Sequence, residues 1–428
     1  MNAHIRPSSL GGSVSAVSSK SMAHRLLILA ALADEPTEFV CDTFSEDIEA
    51  TSRCLRVIND ERRRGFDANG AGCERIALDC GESGSTLRFL LPVVCALGMP
   101  ACFIRRGRLP ERPLDALAQQ LALHGITIEE HGRQLDTAGK MSAGTFTLPG
   151  DVSSQYASGL LMAATIMDEP VEVLVSTPVQ SRPYLELTVH ALMQFGRDVR
   201  CDKVIRDGVE YERFVVDPAP FAVPERCVVE GDWSNAAFWL AAGSLEPEGL
   251  TVCGLDPQSA QGDRAIVAAL AGFGARIARK GTAVRATADT PRAAVLDVSA
   301  FPDLVPPLAA VAATAPGTSR LTNAGRLRLK ESDRLKAITC AITRLGGHAQ
   351  AVGDDLVIEG VEQLGGGTID ACNDHRIAMM GAILATHAKG EVVITDARCV
   401  SKSYPGFWED YALLGGSVHL TRESEDTL

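Results

Sequence analysis

One pattern recurs six times along this chain of 428 residues: a small or polar cluster that opens an Ala/Leu-rich segment of helical character. It begins at Ser19 (SKSMAHRLLILAALA), Ser83 (SGSTLRFLLPVVCALG), Ser153 (SSQYASGLLMAA), Asp232 (DWSNAAFWLAAG), Asp303 (DLVPPLAAVAA) and Asp374 (DHRIAMMGAILA). Successive starts lie 64, 70, 79, 71 and 71 residues apart. A period of this size marks one supersecondary unit repeated, and it limits the fold more than any single motif does. A second landmark repeats in phase. A β-rich run leads through a short loop into an amphipathic helix that ends at glycine, and the closing Gly125, Gly196, Gly274, Gly346 and Gly415 are 71, 78, 72 and 69 residues apart. Glycine suits that position because it enters the left-handed region without a Cβ clash. Short alternating strands follow, as in residues 125–128 and 274–277. Each unit therefore reads β-α-β-α-β-β, an α/β fold. Three units per domain give two similar domains of about 200 residues. The seam falls near residues 229–232, where the strand pattern can pair across domains.

Composition narrows the function. The 41 Lys and Arg against 54 Asp and Glu leave a formal net charge of −13. That balance argues against a nucleic-acid binder, whose affinity rests on neutralising phosphates. At first sight it argues against any anionic ligand. The N-terminus has no apolar core of a signal peptide. The longest uncharged run, residues 89–104, is interrupted by Pro92, Gly98 and Pro100 and is too short to span a bilayer. Twelve cysteines are scattered without a C-x-x-C pair, so they read as free thiols of a reducing cytoplasm rather than a zinc site or disulfide scaffold.

The basic residues are placed unevenly. Lys20 and Arg25 flank the first helix start, Arg88 follows the second, and Arg105, Arg106, Arg108 and Arg112 share one loop. Arg326, Arg328, Lys330 and Arg334 share another, followed by Arg376 and Lys402. Helix starts carry free N–H groups and the positive dipole end, so cations repeated there predict a site for phosphate or carboxylate. The known phosphate loops are excluded: Ser19 stands where a Walker A loop needs glycine, and residues 81–85 (GESGS) fail the dinucleotide fingerprint. The nine histidines form no metal-ligand spacing, and no G-x-S-x-G elbow occurs. Cofactor-free chemistry on an anionic substrate remains. Among carboxylates, Asp232 and Asp374 read first as N-caps. Asp303, opening the fifth helix, and Glu331, in KESDR, are the acid/base candidates because surrounding cations keep a carboxylate ionised. His375 can donate to a ligand or brace Arg376, and both readings stay open.

With those residues in view, the chain resembles the 5-enolpyruvylshikimate-3-phosphate synthases, enolpyruvyl transferases of the shikimate pathway. The resemblance rests on SKSMAHRLLILAALA, GESGSTLRFL, GRLPERP, DVSSQYASGLLMAA, SRPYLEL, FPDLVPP, LKESDRL, NDHRIAMM and CVSKSYPGFWED, nine motifs in family order over nearly the whole chain. It implies two domains of three βαβαββ repeats, residues 19–229 and residues 1–18 with 230–428, with helix N-termini facing an interdomain cleft that closes on substrate. It implies no metal or organic cofactor, small-molecule substrates only, no nucleic-acid or membrane partner, and a cytoplasmic monomer. Carried over residue by residue, it assigns Lys20, Ser21, Arg25, Ser153, Ser154, Gln155, Ser181, Tyr184, Asp303 and Lys330 to shikimate 3-phosphate. It assigns Lys20, Gly84, Arg88, Arg108, Gln155, Arg334, His375, Arg376 and Lys402 to phosphoenolpyruvate. Asp303, Glu331 and Lys20 become the catalytic residues, with Asp303 at the shikimate hydroxyls and Glu331 exchanging a proton at the methylene carbon.

The chain departs from the family pattern at several points. Val17 and Ser18 stand where a proline usually precedes Ser-Lys-Ser, Glu82 replaces a common asparagine, Phe89 follows the clamp arginine, and Arg326 replaces an uncharged polar residue. Glu82 adds negative charge beside the phosphoenolpyruvate clamp. Two related families are weighed against this reading. The UDP-N-acetylglucosamine enolpyruvyl transferases carry a reactive loop cysteine, and Cys102 is not in that context. The RNA 3′-phosphate cyclases share the repeat, but the acidic charge disfavours their substrate. A binding module that has lost its chemistry would lack the acid/base pair, yet Asp303 and Glu331 are both present.

Overall fold

The computed structural model describes residues 1–33, 35–64 and 75–422. The chain divides into two compact units, Lys20–Val229 and Met1–Ser19 with Glu230–Leu428. Two strands open it, β1 (Asn2–Arg6) and β2 (Gly12–Ser15), followed by α1 (Lys20–Leu32), β3 (Glu38–Val40) and α2 (Glu46–Arg63). A full module comes next: β4 (Ile76–Gly81), α3 (Gly84–Leu97), β5 (Ala101–Arg105), α4 (Asp115–Leu123), β6 (Thr127–His131) and β7 (Gln134–Ala138). It recurs as β8 (Gly144–Leu148), α5 (Ser154–Ala164), β9 (Val171–Ser176), α6 (Pro183–Gln194), β10 (Val199–Arg206) and β11 (Val209–Val216), and β12 (Arg226–Val228) ends the unit.

In these modules the first two strands pair in parallel and the last two fold back antiparallel, giving the orders β4-β5-β7-β6 and β8-β9-β11-β10. A parallel pair needs a crossover, which α3 and α5 supply. The remaining sheet of this unit pairs β12 in parallel with β3.

The other unit repeats the plan with α7 (Trp233–Gly243), β13 (Leu250–Cys253), α8 (Ile266–Gly272), β14 (Arg276–Lys280) and β15 (Ala283–Thr287). Then come β16 (Val295–Asp297), α9 (Val305–Ala312), β17 (Thr318–Thr322), α10 (Arg334–Arg344), β18 (His348–Val352) and β19 (Asp355–Glu359). The last module is β20 (Gly367–Asp370), α11 (His375–Thr386), β21 (Val392–Thr395), α12 (Phe407–Leu413) and β22 (Ser417–Thr421). Two of its sheets are completed from the N-terminus. Strand β2 pairs in parallel with β13, and β1 inserts antiparallel between β21 and β22. The fourth and sixth modules thus each borrow a strand from the first fifteen residues.

The repeated clusters are helix starts. Ser83, Ser153, Asp232 and Asp374 are N-caps whose side chains accept from Thr86, Gln155, Asn235 and Arg376 backbone N–H groups. These side chains satisfy amides that the first turn leaves without partners. The fifth start differs: Asp303 lies inside a 3-10 turn, Pro302–Leu304, that leads into α9, and it caps nothing. All five closing glycines have positive φ, from 68° to 100°. The Ala-rich helices α7, α9 and α11 are buried over nearly their whole circumference and touch one another, as α1, α3 and α5 do in the other unit. A helix apolar all round is a core element. The amphipathic α2 and α10 instead lie outside with mixed faces. Small residues let the inner helices approach: a methyl group on Gly159 of α5 would overlap the Arg88 carbonyl oxygen of α3.

Candidate functional site

In the unit Lys20–Val229 the candidates gather where α1, α3 and α5 begin. Lys20 is the first residue of α1, and its ammonium donates to Asp47 Oδ2 at 2.9 Å in the first turn of α2. Arg25, one turn further along, is buried and donates to Thr188 Oγ1 (2.8 Å), the Ser21 carbonyl (2.6 Å), Ser158 Oγ (3.4 Å) and the Tyr184 carbonyl (3.0 Å). Those four partners are neutral, so burial goes uncompensated and lowers the Arg25 pKa to about 9. A buried cation without a carboxylate is costly on its own and gains from an incoming anion. Ser181, three residues before Tyr184, is held at φ 56°, and its carbonyl accepts from Tyr184 N. A non-glycine residue there stores strain.

The starts of α3 and α5 are tied together. Arg88 donates to Gln155 Oε1 at 2.8 Å and to the Pro113 carbonyl at 3.0 Å, while Gln155 Nε2 donates to Ser85 Oγ at 3.0 Å. Ser153 and Ser154 open α5 next to Gln155. Gly84 begins α3 because the Arg112 guanidinium lies against it; an added Cβ would stand 2.6 Å from Nη1. Arg108 is half-exposed and pairs with Glu111 at 3.2 Å. Glu82 lays its carboxylate over Gly107, 2.5 Å from where a Cβ would be.

Two arginines of that loop do not fit the predicted anion site. Arg105 is buried at the end of β5 and donates to Glu130 and to the Gly132 carbonyl. Arg106 pairs with Asp79 at 2.6 Å. Both hold the loop in place. Asp47 was missed, as its partnership with Lys20 spans two helices and leaves no local signature. Arg112, read only as one of four loop arginines, is the one lying against the α3 start.

In the other unit a denser cluster surrounds Arg334, the first residue of α10. Its guanidinium donates to Asp374 Oδ2 (2.7 Å) and Oδ1 (3.2 Å), Asp303 Oδ1 (2.9 Å) and Glu331 Oε2 (2.7 Å). Lys330 reaches Asp303 Oδ1 at 3.2 Å, and Arg376 reaches Oδ2 at 3.3 Å. Asp374 is thus more than a cap: it also accepts from Ser332 Oγ and holds the Nε/Nη2 edge of Arg334 with both carboxylate oxygens. Lys402 donates to the Asn373 carbonyl at 2.7 Å, and His375 Nδ1 stands 3.9 Å from Asp374 Oδ1. Cys372, Asn373 and Asp396, the residues that turn the chain toward His375 and Lys402, all have positive φ.

The electrostatics follow from that crowding. Burial alone would raise the Asp303 carboxyl, but Arg376, Lys330 and Arg334 hold it well below the ordinary range. Burial, with Arg334 and Arg326 nearby, lowers the Lys330 ammonium to about 8 despite Asp303. Burial would lower Arg334, but Asp374, Glu331 and Asp303 outweigh it and raise the guanidinium above its usual value. Acids and bases are therefore interleaved here.

Repeated small α/β modules with buried cations at their helix starts, several paired with carboxylates, define a class of protein suited to small polyanions. Comparison makes the class specific. A model of the EPSP synthase (3-phosphoshikimate 1-carboxyvinyltransferase) family matches residues 5–411. The chain is 38% identical to the 3-phosphoshikimate 1-carboxyvinyltransferase of Clostridium kluyveri over 422 residues, 97% of each chain. It is 34% identical to that of Clostridioides difficile, again over 97% of each. Among solved structures, an Acinetobacter baumannii EPSP synthase superposes with a TM-score of 0.77 at 22% identity, over 98% of this chain and 100% of that one. The enolpyruvyl transferase NikO of Streptomyces tendae gives 0.73 at 19%, over 98% of both chains. At such identities these two speak for the fold alone. The chain belongs to the EPSP synthase family. As a member it is an enzyme that transfers the enolpyruvyl group of phosphoenolpyruvate to shikimate 3-phosphate, in aromatic amino-acid biosynthesis.

Proposed function

We propose that Lys20, Ser21, Arg25, Ser153, Ser154, Gln155, Ser181, Tyr184, Asp303 and Lys330 hold shikimate 3-phosphate. Lys20, Gly84, Arg88, Arg108, Gln155, Arg334, His375, Arg376 and Lys402 hold phosphoenolpyruvate, the two sets serving one addition–elimination. The 5-hydroxyl adds to C2 of phosphoenolpyruvate while C3 gains a proton and becomes a methyl group, and phosphate leaves as one of the methyl protons is removed. Asp303, Glu331 and Lys20 carry the proton and charge movements. The observation that supports this reading is the convergence of Lys330, Arg334 and Arg376 on Asp303, with Glu331 on the same guanidinium.

The chemistry follows from exchange of partners. Two polyanions repel each other in water, and fixed cations offset that repulsion while orienting the reacting atoms, an effect worth up to roughly 7–11 kcal/mol in favourable cases. When substrate carboxylate or phosphate takes over Arg334 and Arg376, Asp303 loses part of the positive field that depresses its basicity, and Glu331 gives up its Arg334 partner. They then become competent to move protons at the moment both substrates are bound. The same reading carries two further expectations, a monomer and action in the cytoplasm.

Turnover in D2O tests the mechanism. Addition–elimination predicts deuterium at the vinyl methylene of the product, because C3 passes through a methyl group. Product formed with no deuterium there would overturn it.

A further inference from the structure

His24 is buried on α1, one turn after Lys20, and the family's assigned site residues leave it out. Its Nδ1 lies 2.7 Å from Thr51 Oγ1 on α2, Thr51 Oγ1 lies 2.7 Å from Thr86 Oγ1 on α3, and Thr86 donates to Ser83 Oγ at 2.8 Å. Each hydroxyl has one proton, so the direction can be read backwards. Thr86 spends its proton on Ser83 and accepts from Thr51; Thr51 in turn accepts from His24, which must carry its proton on Nδ1. Its Nε2 is buried with no hydrogen-bond partner among the described residues, and its ring meets that of Phe89 edge-to-face with centroids 6.3 Å apart. An unprotonated nitrogen tolerates that apolar side better than an N–H would.

Burial, with Lys20 and Arg25 nearby, lowers the His24 pKa well below its usual value and keeps the ring neutral. The spacing gives the relay a geometric purpose. Lys20 and His24 are four residues apart on α1, and Asp47 and Thr51 are four apart on α2, so each pair shares a helix face. Near their starts the helices are joined by Lys20 to Asp47 and by His24 to Thr51, and the second of these rungs continues to the N-cap of α3. Ser83 also accepts the Thr86 backbone N–H, and α3 carries Gly84 and Arg88.

We infer that His24 is a positioning residue: acting through Thr51, Thr86 and Ser83, it fixes α1 against the start of α3, so that Lys20 and Arg88 meet phosphoenolpyruvate in a set geometry. The inference rests on the reading of Lys20 and Arg88 as phosphoenolpyruvate ligands. Supporting groups of this kind typically change affinity or activity about 10–100-fold when removed.

The test is steady-state kinetics of the purified full chain with thermal unfolding alongside. His24→Leu removes the donor and is expected to raise KM for phosphoenolpyruvate about tenfold while kcat falls less than about threefold. Thr51→Val cuts the same relay at similar volume and should do the same, and the double variant should be no worse than either single. His24→Asn places an amide N–H where Nδ1–H was and should recover the larger part of the loss. If His24→Leu fails to fold, Thr51→Val and His24→Asn still decide. A lowered melting temperature with KM unchanged in Thr51→Val would make the relay merely structural and overturn the inference. Lys20→Met separates the two claims: an unchanged KM there sinks the ligand reading itself, whatever His24 does.

Discussion

The Arg334 guanidinium divides its N–H groups among Asp303, Glu331 and Asp374, and it is almost wholly buried. Three carboxylates around one cation persist only because Lys330 and Arg376 share Asp303. Replacing Arg334 by Met therefore strands carboxylates in a dry site, and urea unfolding should show a loss of about 3–5 kcal/mol. Asp303 also links stability to pH. Its folded pKa lies below its ordinary value of 3.8, so its contribution is fully present above that value and is lost as pH falls through the folded one. Acid titration of Asp303→Asn should show a shallower decline than the parent, and parallel curves would contradict this. At the alkaline end, Lys330 at about 8 predicts that kcat/KM for shikimate 3-phosphate falls above that pH. Lys330→Arg should move the limb upward. Glu331→Gln should keep substrate binding yet lower kcat about 10²–10⁴-fold, read from single-turnover and equilibrium-binding measurements.

At the scale of elements, what was legible depended on the range of the interaction. Helix starts and closing glycines are local, because a cap or a left-handed residue acts within one turn, and Ser83, Ser153, Asp232, Asp374 and the five glycines show it. Asp303 opens its helix segment as those caps open theirs, but the prolines at 302, 306 and 307 shape a 3-10 entry that leaves its carboxylate to ion pairing, in keeping with its selection as an acid/base candidate rather than a cap. Arg105 looked like a ligand because charge runs reveal position along the chain and not burial. The Lys20–Asp47 and His24–Thr51 rungs join helices, so neither partner announces the other. Gly159 belongs here too. Its contact with the Arg88 backbone sets the distance between α3 and α5, and Gly159→Ala should destabilise by about 1–3 kcal/mol through overpacking. Calorimetry checks that.

For the whole molecule, the repeat predicted the number and type of modules, while the borrowing of β1 and β2 joins residues too far apart in sequence for any local pattern to reveal. A consequence follows for fragments. The segment Lys20–Val229 contains both partners of each of its strand pairs and should fold alone. The segment Glu230–Leu428 leaves β22 without a strand partner and turns β13 and β21 into open sheet edges, and it should not fold until residues 1–19 are supplied. Circular dichroism and proteolysis of the two fragments distinguish these outcomes. The net charge of −13 is reconciled at this scale as well. Total charge argues against a polynucleotide, while the proposed site for small anions rests on the buried cations at α1, α3, α10 and α11 and on the carboxylates paired with those of α10 and α11. The most direct test of the account is phosphate release by the purified chain given shikimate 3-phosphate and phosphoenolpyruvate. It predicts stoichiometric phosphate with that pair and none when UDP-N-acetylglucosamine replaces shikimate 3-phosphate; the reverse pattern would contradict it.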